Sequence, residues 1–178
     1  HITLIDNDDN GKYDVLCINE YSVIRVSRVN IYDETILDEN GNDFLDLSDK
    51  DINYTVVNNG NEISLEEIKT EDILCVYKSI DEKRIKIVLE SETVNGKLSG
   101  VNKEDRTITV GEETYECSDY VENFCLPTAV IGQEYSVTVS EYGTVVYMQM
   151  QTNDDIHYGY LVSGYEDESG DEHLAQIY

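Results

Sequence analysis

The chain has 178 residues, with 38 Asp+Glu against 12 Lys+Arg and a formal net charge of −26. That balance argues against nucleic-acid binding, which needs clustered cations to neutralise phosphates, and against anionic membrane surfaces; no apolar run approaches the ~18 residues of a membrane span. Hydrophobic residues make up 40%, enough to bury a core, and the length allows one medium domain or two small ones at roughly 100–200 residues per domain.

No apolar signal segment is visible, so a secretion signal is expected to be removed or to lie upstream. The first pattern along the chain is a run of oxygen ligands. Residues 6–14 read Asp6-Asn7-Asp8-Asp9-Asn10-Gly11-Lys12-Tyr13-Asp14. Asp6, Asp8, Asn10 and Asp14 fall at positions 1, 3, 5 and 9 of a calcium loop. Gly11 at position 6 allows the sharp turn, and Lys12 at position 7 would offer its backbone carbonyl. Calcium wants six to eight oxygens, and alternating carboxylates in a tight loop suit it. Position 12 is Cys17, where an EF-hand has a bidentate Glu, and the flanks read as strands. The competing reading is a solvated Asx-rich turn.

The rest reads mostly as strand. Short alternating or β-branched runs occupy 13–18, 22–31, 35–37, 44–47, 54–57, 73–77 and 84–89. They continue at 93–101, 107–110, 114–117, 135–139, 144–150 and 158–162. Turn signals stand at Asn40-Gly41, Asn59-Gly60, Asn95-Gly96, Tyr142-Gly143 and Ser169-Gly170. Ser64-Leu65-Glu66-Glu67 predicts one capped helical turn, and a second short helical segment is expected over 118–124. The fold class is therefore all-β and mainly antiparallel, with two small barrel- or sandwich-like domains and at most short helical turns. Boundaries fall at 1–91, with the acidic loop, and at 92–152. Residues 153–178 read as the start of a further module or a C-terminal extension.

A weak internal echo supports two units. Asp72-Ile73-Leu74-Cys75-Val76, then Ser79, then Arg84-Ile85-Lys86-Ile87 parallels Glu134-Tyr135-Ser136-Val137-Thr138, then Ser140, then Val145-Val146-Tyr147-Met148. Any two β-hairpins share some of this pattern. The acidity is uneven: residues 107–178 hold fourteen Asp/Glu and no Lys or Arg. Such a segment repels itself unless salt or divalent cations screen it, which suits a salty or calcium-containing fluid outside the cell; solubility alone is the other explanation.

Of the four cysteines, Cys17 and Cys75 sit inside apolar strand patterns and read as core residues. Cys117 and Cys125 could close a loop. No Cys/His spacing fits zinc, and no P-loop, G-x-S-x-G or H-E-x-x-H occurs. Asp38-Glu39-Asn40-Gly41-Asn42-Asp43 reads as a hairpin turn, and Glu166-Asp167-Glu168 as a solvated loop. Thirty-eight acids always supply some carboxylate pair, so a glycoside-hydrolase pair is not diagnostic here. Most of the fourteen Tyr fall at strand positions such as Tyr54, Tyr77, Tyr135 and Tyr147, where sheet packing is the default.

Several of these segments, in order, carry a family likeness. Thr3-Leu4-Ile5-Asp6-Asn7-Asp8 through Gly11-Lys12-Tyr13-Asp14, Ile63-Ser64-Leu65-Glu66-Glu67-Ile68, and Glu71-Asp72-Ile73-Leu74-Cys75-Val76-Tyr77-Lys78-Ser79 are three of them. Val94-Asn95-Gly96-Lys97-Leu98, Ile131-Gly132-Gln133-Glu134-Tyr135 and Tyr158-Gly159-Tyr160-Leu161-Val162 follow. Together they resemble repeat regions of S-layer-type cell-surface proteins of anaerobic clostridia (Firmicutes). The resemblance implies an extracellular, non-enzymatic, modular β-rich region whose partners are neighbouring modules of the same protein or cell-wall polymers. Where that family often has Asp-Gly in the first loop, this chain has Asn10-Gly11, and its cysteines lie outside the pattern. The leading expectation is a structural or spacer module at the cell surface, stiffened by calcium, with no membrane insertion. A surface binding module for glycans or host proteins is the alternative, and a two-carboxylate glycan hydrolase stands third.

Overall fold

In the computed structural model, residues 2–18, 20–41, 44–151, 161–166 and 173–177 are described. The chain opens on a hairpin of β1 (Ile2–Ile5) and β2 (Val15–Ile18). A first unit follows: β3 (Tyr21–Asn30), β4 (Thr35–Asp38), β5 (Phe44–Asp46), β6 (Asn53–Asn58), β7 (Asn61–Ile63), β8 (Ile73–Lys78) and β9 (Arg84–Glu90). A second contains β10 (Thr93–Asn102), β11 (Thr107–Val110), β12 (Glu113–Glu116), β13 (Glu134–Val139) and β14 (Val145–Met150). The hairpin of β15 (Leu161–Glu166) and β16 (His173–Ile177) comes last. The fold is all-β, as the sequence predicts, and the described residues form no closed barrel.

Alternation explains the strands. In β9, Ile85 and Ile87 enter the first core while Arg84 and Lys86 face outward. The expected helical turn is a 3-10 turn over Leu65–Glu67, and the Glu67 carboxylate accepts the Ser64 N–H at 2.7 Å. The second helical segment runs further than predicted. It continues through a π-turn at Val121–Cys125 into a 3-10 turn at Leu126–Thr128.

The two sheets share one plan. The first has order β5-β4-β3-β8-β9-β6-β7 and the second β12-β11-β10-β13-β14. In each, three strands linked in sequence lie on one side and a later strand returns beside the first, β8 beside β3 after the β6–β7 hairpin and β13 beside β10 directly, which is a Greek key arrangement. The opening strands β3 and β10 each have ten residues. Tyr21–Arg25 pairs with β8 and the remainder with β4, while Thr93–Lys97 pairs with β13 and the remainder with β11. The switch falls at a register shift in both, between Val26 and Arg28 and between Leu98 and Gly100.

The turns repeat with the strands. The Asn30 side chain accepts the N–H groups of Tyr32 and Asp33, and the Asn102 side chain accepts those of Glu104 and Asp105. Glu34 and Arg106 close these turns at φ 47° and 55°. The cross-link from Glu71 N–H to Val26 O at 2.7 Å has its counterpart from Gly132 N–H to Leu98 O at 2.7 Å. The hairpins that echo in the sequence, β8–β9 and β13–β14, therefore occupy equivalent places.

Each sheet curls around its own core. Leu45 beside one end of the first sheet and Val56 near the other belong to one cluster with Ile24, Leu74 and Ile87. Leu98, Ile108, Val121, Val137 and Val145 form the second. The parallel pairing on the last strand differs between units. In the first it is a parallel ladder of β6 on β9, from Asn53–Arg84 to Asn58–Leu89. In the second it is one parallel bridge, Cys117 to Val145, with the Ser118 N–H donating to Val145 O at 2.9 Å. The helical segment covers the rest, with Cys125 and Leu126 packed against the second core.

The outer face of the first sheet docks on the second unit. Val23, Ile73, Cys75 and Val88 pack against Tyr120 and Val146 in a third buried cluster. The Asn40 amide donates to the Tyr120 hydroxyl at 2.8 Å, and the Arg25 guanidinium lies 4.9 Å from the Tyr147 ring centre.

One turn signal was misread. Asn95-Gly96 lies inside β10, where Gly96 pairs with Tyr135. A Cβ on Gly96 would stand 2.9 Å from the Gly111 nitrogen. The glycine serves a close backbone approach rather than a turn. Asn59-Gly60 is a true hairpin turn, with both residues at positive φ. Ser169-Gly170 lies outside the described residues.

Candidate metal centre and the buried junction

The acidic loop sits between β1 and β2, and the Asp14 N–H closes it on the Ile5 carbonyl at 2.9 Å. Asp6, Asp8 and Asp14 each bring a carboxylate oxygen within 4.8 Å of the others. Calcium–oxygen distances of roughly 2.3–2.6 Å put ligands on opposite sides of an ion about 5 Å apart, so three oxygens at this spacing can share one ion. The donor set is all oxygen and fits a hard cation. Water and backbone carbonyls would have to supply the remaining ligands.

Asn10 and Lys12 are tied into the turn. The Lys12 N–H donates to Asn10 Oδ1 at 2.9 Å, and the Asn10 N–H donates to Asp6 Oδ1 at 3.2 Å and Asp8 Oδ1 at 3.3 Å. The Gly11 N–H donates to Asp6 Oδ2 at 2.7 Å. Local desolvation opposes ionisation of Asp6, but the N–H groups of Gly11, Asn10 and Asp8 outweigh it and hold its pKa below the usual carboxylate value. Spacing alone predicted the convergence of Asp6, Asp8 and Asp14.

Chemistry that the sequence did not signal lies at the junction of the two units. Burial pushes the Glu90 carboxyl up, while the Cys75 thiol and the Glu141 N–H hydrogen-bond to it and pull the other way; the net shift is upward. Glu90 Oε1 is buried without a hydrogen-bond partner among the described residues. Burial, then the Glu90 charge, drives the Cys75 thiol far above its ordinary range. Cys75 is therefore an inert core residue. Glu90 shares a cleft of about 280 Å³ with Glu71 and Asp72.

Cys117 and Cys125 are both free thiols. Burial raises Cys117 to about 11 and also raises Cys125. Cys117 bridges to Val145 of β14, and Cys125 packs against the second core.

The tyrosines divide between core and surface. Tyr120 and Tyr135 are buried, while Tyr13 and Tyr32 stand exposed in separate loops. Tyr21, Tyr77 and Tyr142 stack in a row, with centroid separations of 5.3 and 6.5 Å. Among the described residues no helix is long and apolar enough to cross a membrane. Comparison with protein-family models, curated proteins and solved structures gave no match.

Proposed function

We propose that this chain is a non-enzymatic structural module of a secreted bacterial cell-surface protein, of the S-layer type, stiffened by calcium in the loop 6–14. The observation that carries the reading is the duplication. Two units that share a five-strand order, a register shift in the opening strand and the same turn bonds, the first with an added β6–β7 hairpin, are docked through a buried cluster. Repetition of one β unit with short connections gives length and stiffness, which is what a spacer needs. The acid excess and the resemblance to clostridial surface repeats point the same way.

Calcium would be held by Asp6, Asp8 and Asp14, with Asn10 and the Lys12 carbonyl as further oxygens. It would offset the repulsion of three clustered carboxylates and fix the entry to the first unit.

Thermal unfolding with calcium and with chelator tests this reading, beside an Asp8→Ala variant. Calcium at a hundredfold excess over Kd adds about 2.7 kcal/mol to the native state, or roughly 5–10 °C for a chain of this size. The variant is expected to lose that rise. A rise that the variant keeps would mean general screening of the negative charge. No rise at millimolar calcium would remove calcium from the account.

A further inference from the structure

We propose that the outer face of the first sheet carries a groove that binds an anionic glycan, built by Asn53, Thr55, Arg84 and Lys86 and walled by Tyr77 and Tyr142. This goes beyond the structural reading and does not depend on it.

Strand register assembles the groove. Arg84 stands beside Asn53, and Lys86 stands between Thr55 on β6 and Tyr77 on β8. These side chains share the face opposite Ile85 and Ile87, which fill the core. The second unit adds Tyr142 from the β13–β14 turn, its ring steeply inclined to that of Tyr77 at 72°. The groove is open to solvent and has a volume of about 470 Å³, within the usual range of ligand sites.

Charge is the informative feature. The chain carries −26, yet Arg84 and Lys86 stand together on this face of the groove, and the carboxylate beside them is Glu141 at its rim. Lys86 Nζ lies 5.5 Å from the Tyr77 ring centre and 3.4 Å from Glu141. The pair with Glu141 is half exposed, and such pairs contribute at most about 1 kcal/mol, so a ligand anion can compete for the ammonium. Charges elsewhere on the molecule are screened beyond about 8 Å at physiological salt. An anion seated in the groove therefore meets the local cations rather than the net charge.

Position favours a sugar over an acidic peptide. β6, β9 and β8 are all internal strands, in the order β7-β6-β9-β8-β3. They offer no backbone edge for strand addition, and recognition rests on side chains. Amide and hydroxyl groups suit sugar hydroxyls, an aromatic wall suits the apolar face of a pyranose, and Arg and Lys suit a carboxylate or phosphate.

The test is affinity electrophoresis or calorimetry of the full chain at low salt. The probes are polygalacturonate, a polyol-phosphate polymer, neutral dextran and poly-glutamate. Binding of either anionic polymer is expected, at least tenfold weaker in Arg84→Ala/Lys86→Ala and regained in Arg84→Lys/Lys86→Arg, with unchanged melting in both variants. The polymer that binds identifies the anion as carboxylate or phosphate. No binding to either anionic glycan would overturn the proposal. So would equal binding of dextran or poly-glutamate, or affinity that the alanine variant leaves intact.

Discussion

Val146→Asp is expected to lower stability by about 3 kcal/mol or more and to uncouple the two units. Val146 is fully buried in the cluster that joins them. A carboxylate placed there loses its water without gaining a partner. It also adds a negative charge to a junction that already holds Glu90, whose own carboxyl is raised by burial. Because the side chain faces the junction cluster rather than the second unit's own core, docking suffers before the second fold does. The expected result is a melting curve that drops and separates into two steps. A curve identical to that of the unaltered chain would show that the junction carries no stability.

Gly96→Ala is the second large effect, at about 1–3 kcal/mol. The added methyl would meet the Gly111 nitrogen at 2.9 Å, with the Gly111 Cα and a Val110 methyl at 3.2 Å. The nearest atom is backbone, so relief needs movement of the β11–β12 turn rather than a rotamer change, and overpacking of this kind destabilises by that amount. Gly100→Ala on the same strand serves as the control. Its new methyl would sit 3.4 Å from the Thr109 hydroxyl, so a smaller loss is expected. Denaturant unfolding of the two variants checks the order, and equal losses would contradict the close-approach account of Gly96.

Much of the fold was legible because alternation is a local property. β11 was predicted at its observed limits, Thr107–Val110, and most other strands were placed within a residue or two. The carboxylate convergence of the acidic loop was legible for the same reason, since a tight turn brings positions 1, 3 and 9 together by spacing alone. The duplication was only partly read. Its apolar strands echo only as any two hairpins do, whereas its clearest trace is polar. Val29-Asn30 with Asp33 and Thr35-Ile36 matches Val101-Asn102 with Asp105 and Thr107-Ile108. The Asn builds the turn in both copies, so that pattern has a physical cause and could have been found.

Non-local features were not legible. Asn95-Gly96 satisfies the local rule for a hairpin turn, but pairing of β10 with β13 overrides it. Nothing near Cys125 announces that it will pack into two clusters, the second core and the junction. Glu90 closes an ordinary alternating strand, and its partial burial arises only at the junction with the second unit. The groove cations are likewise unremarkable along the chain, and register across three strands brings them together.

The most direct test of the central claim, that two copies of one unit form a single stiff body, is scanning calorimetry of the unaltered chain. Units of this size bury a modest share of their surface alone and are marginal by themselves, so docking should make them melt together. The account predicts one transition spanning both sheets, with calorimetric and van't Hoff enthalpies equal. Two separate transitions, each with the enthalpy of one unit, would contradict it and leave a pair of independent β units on a string.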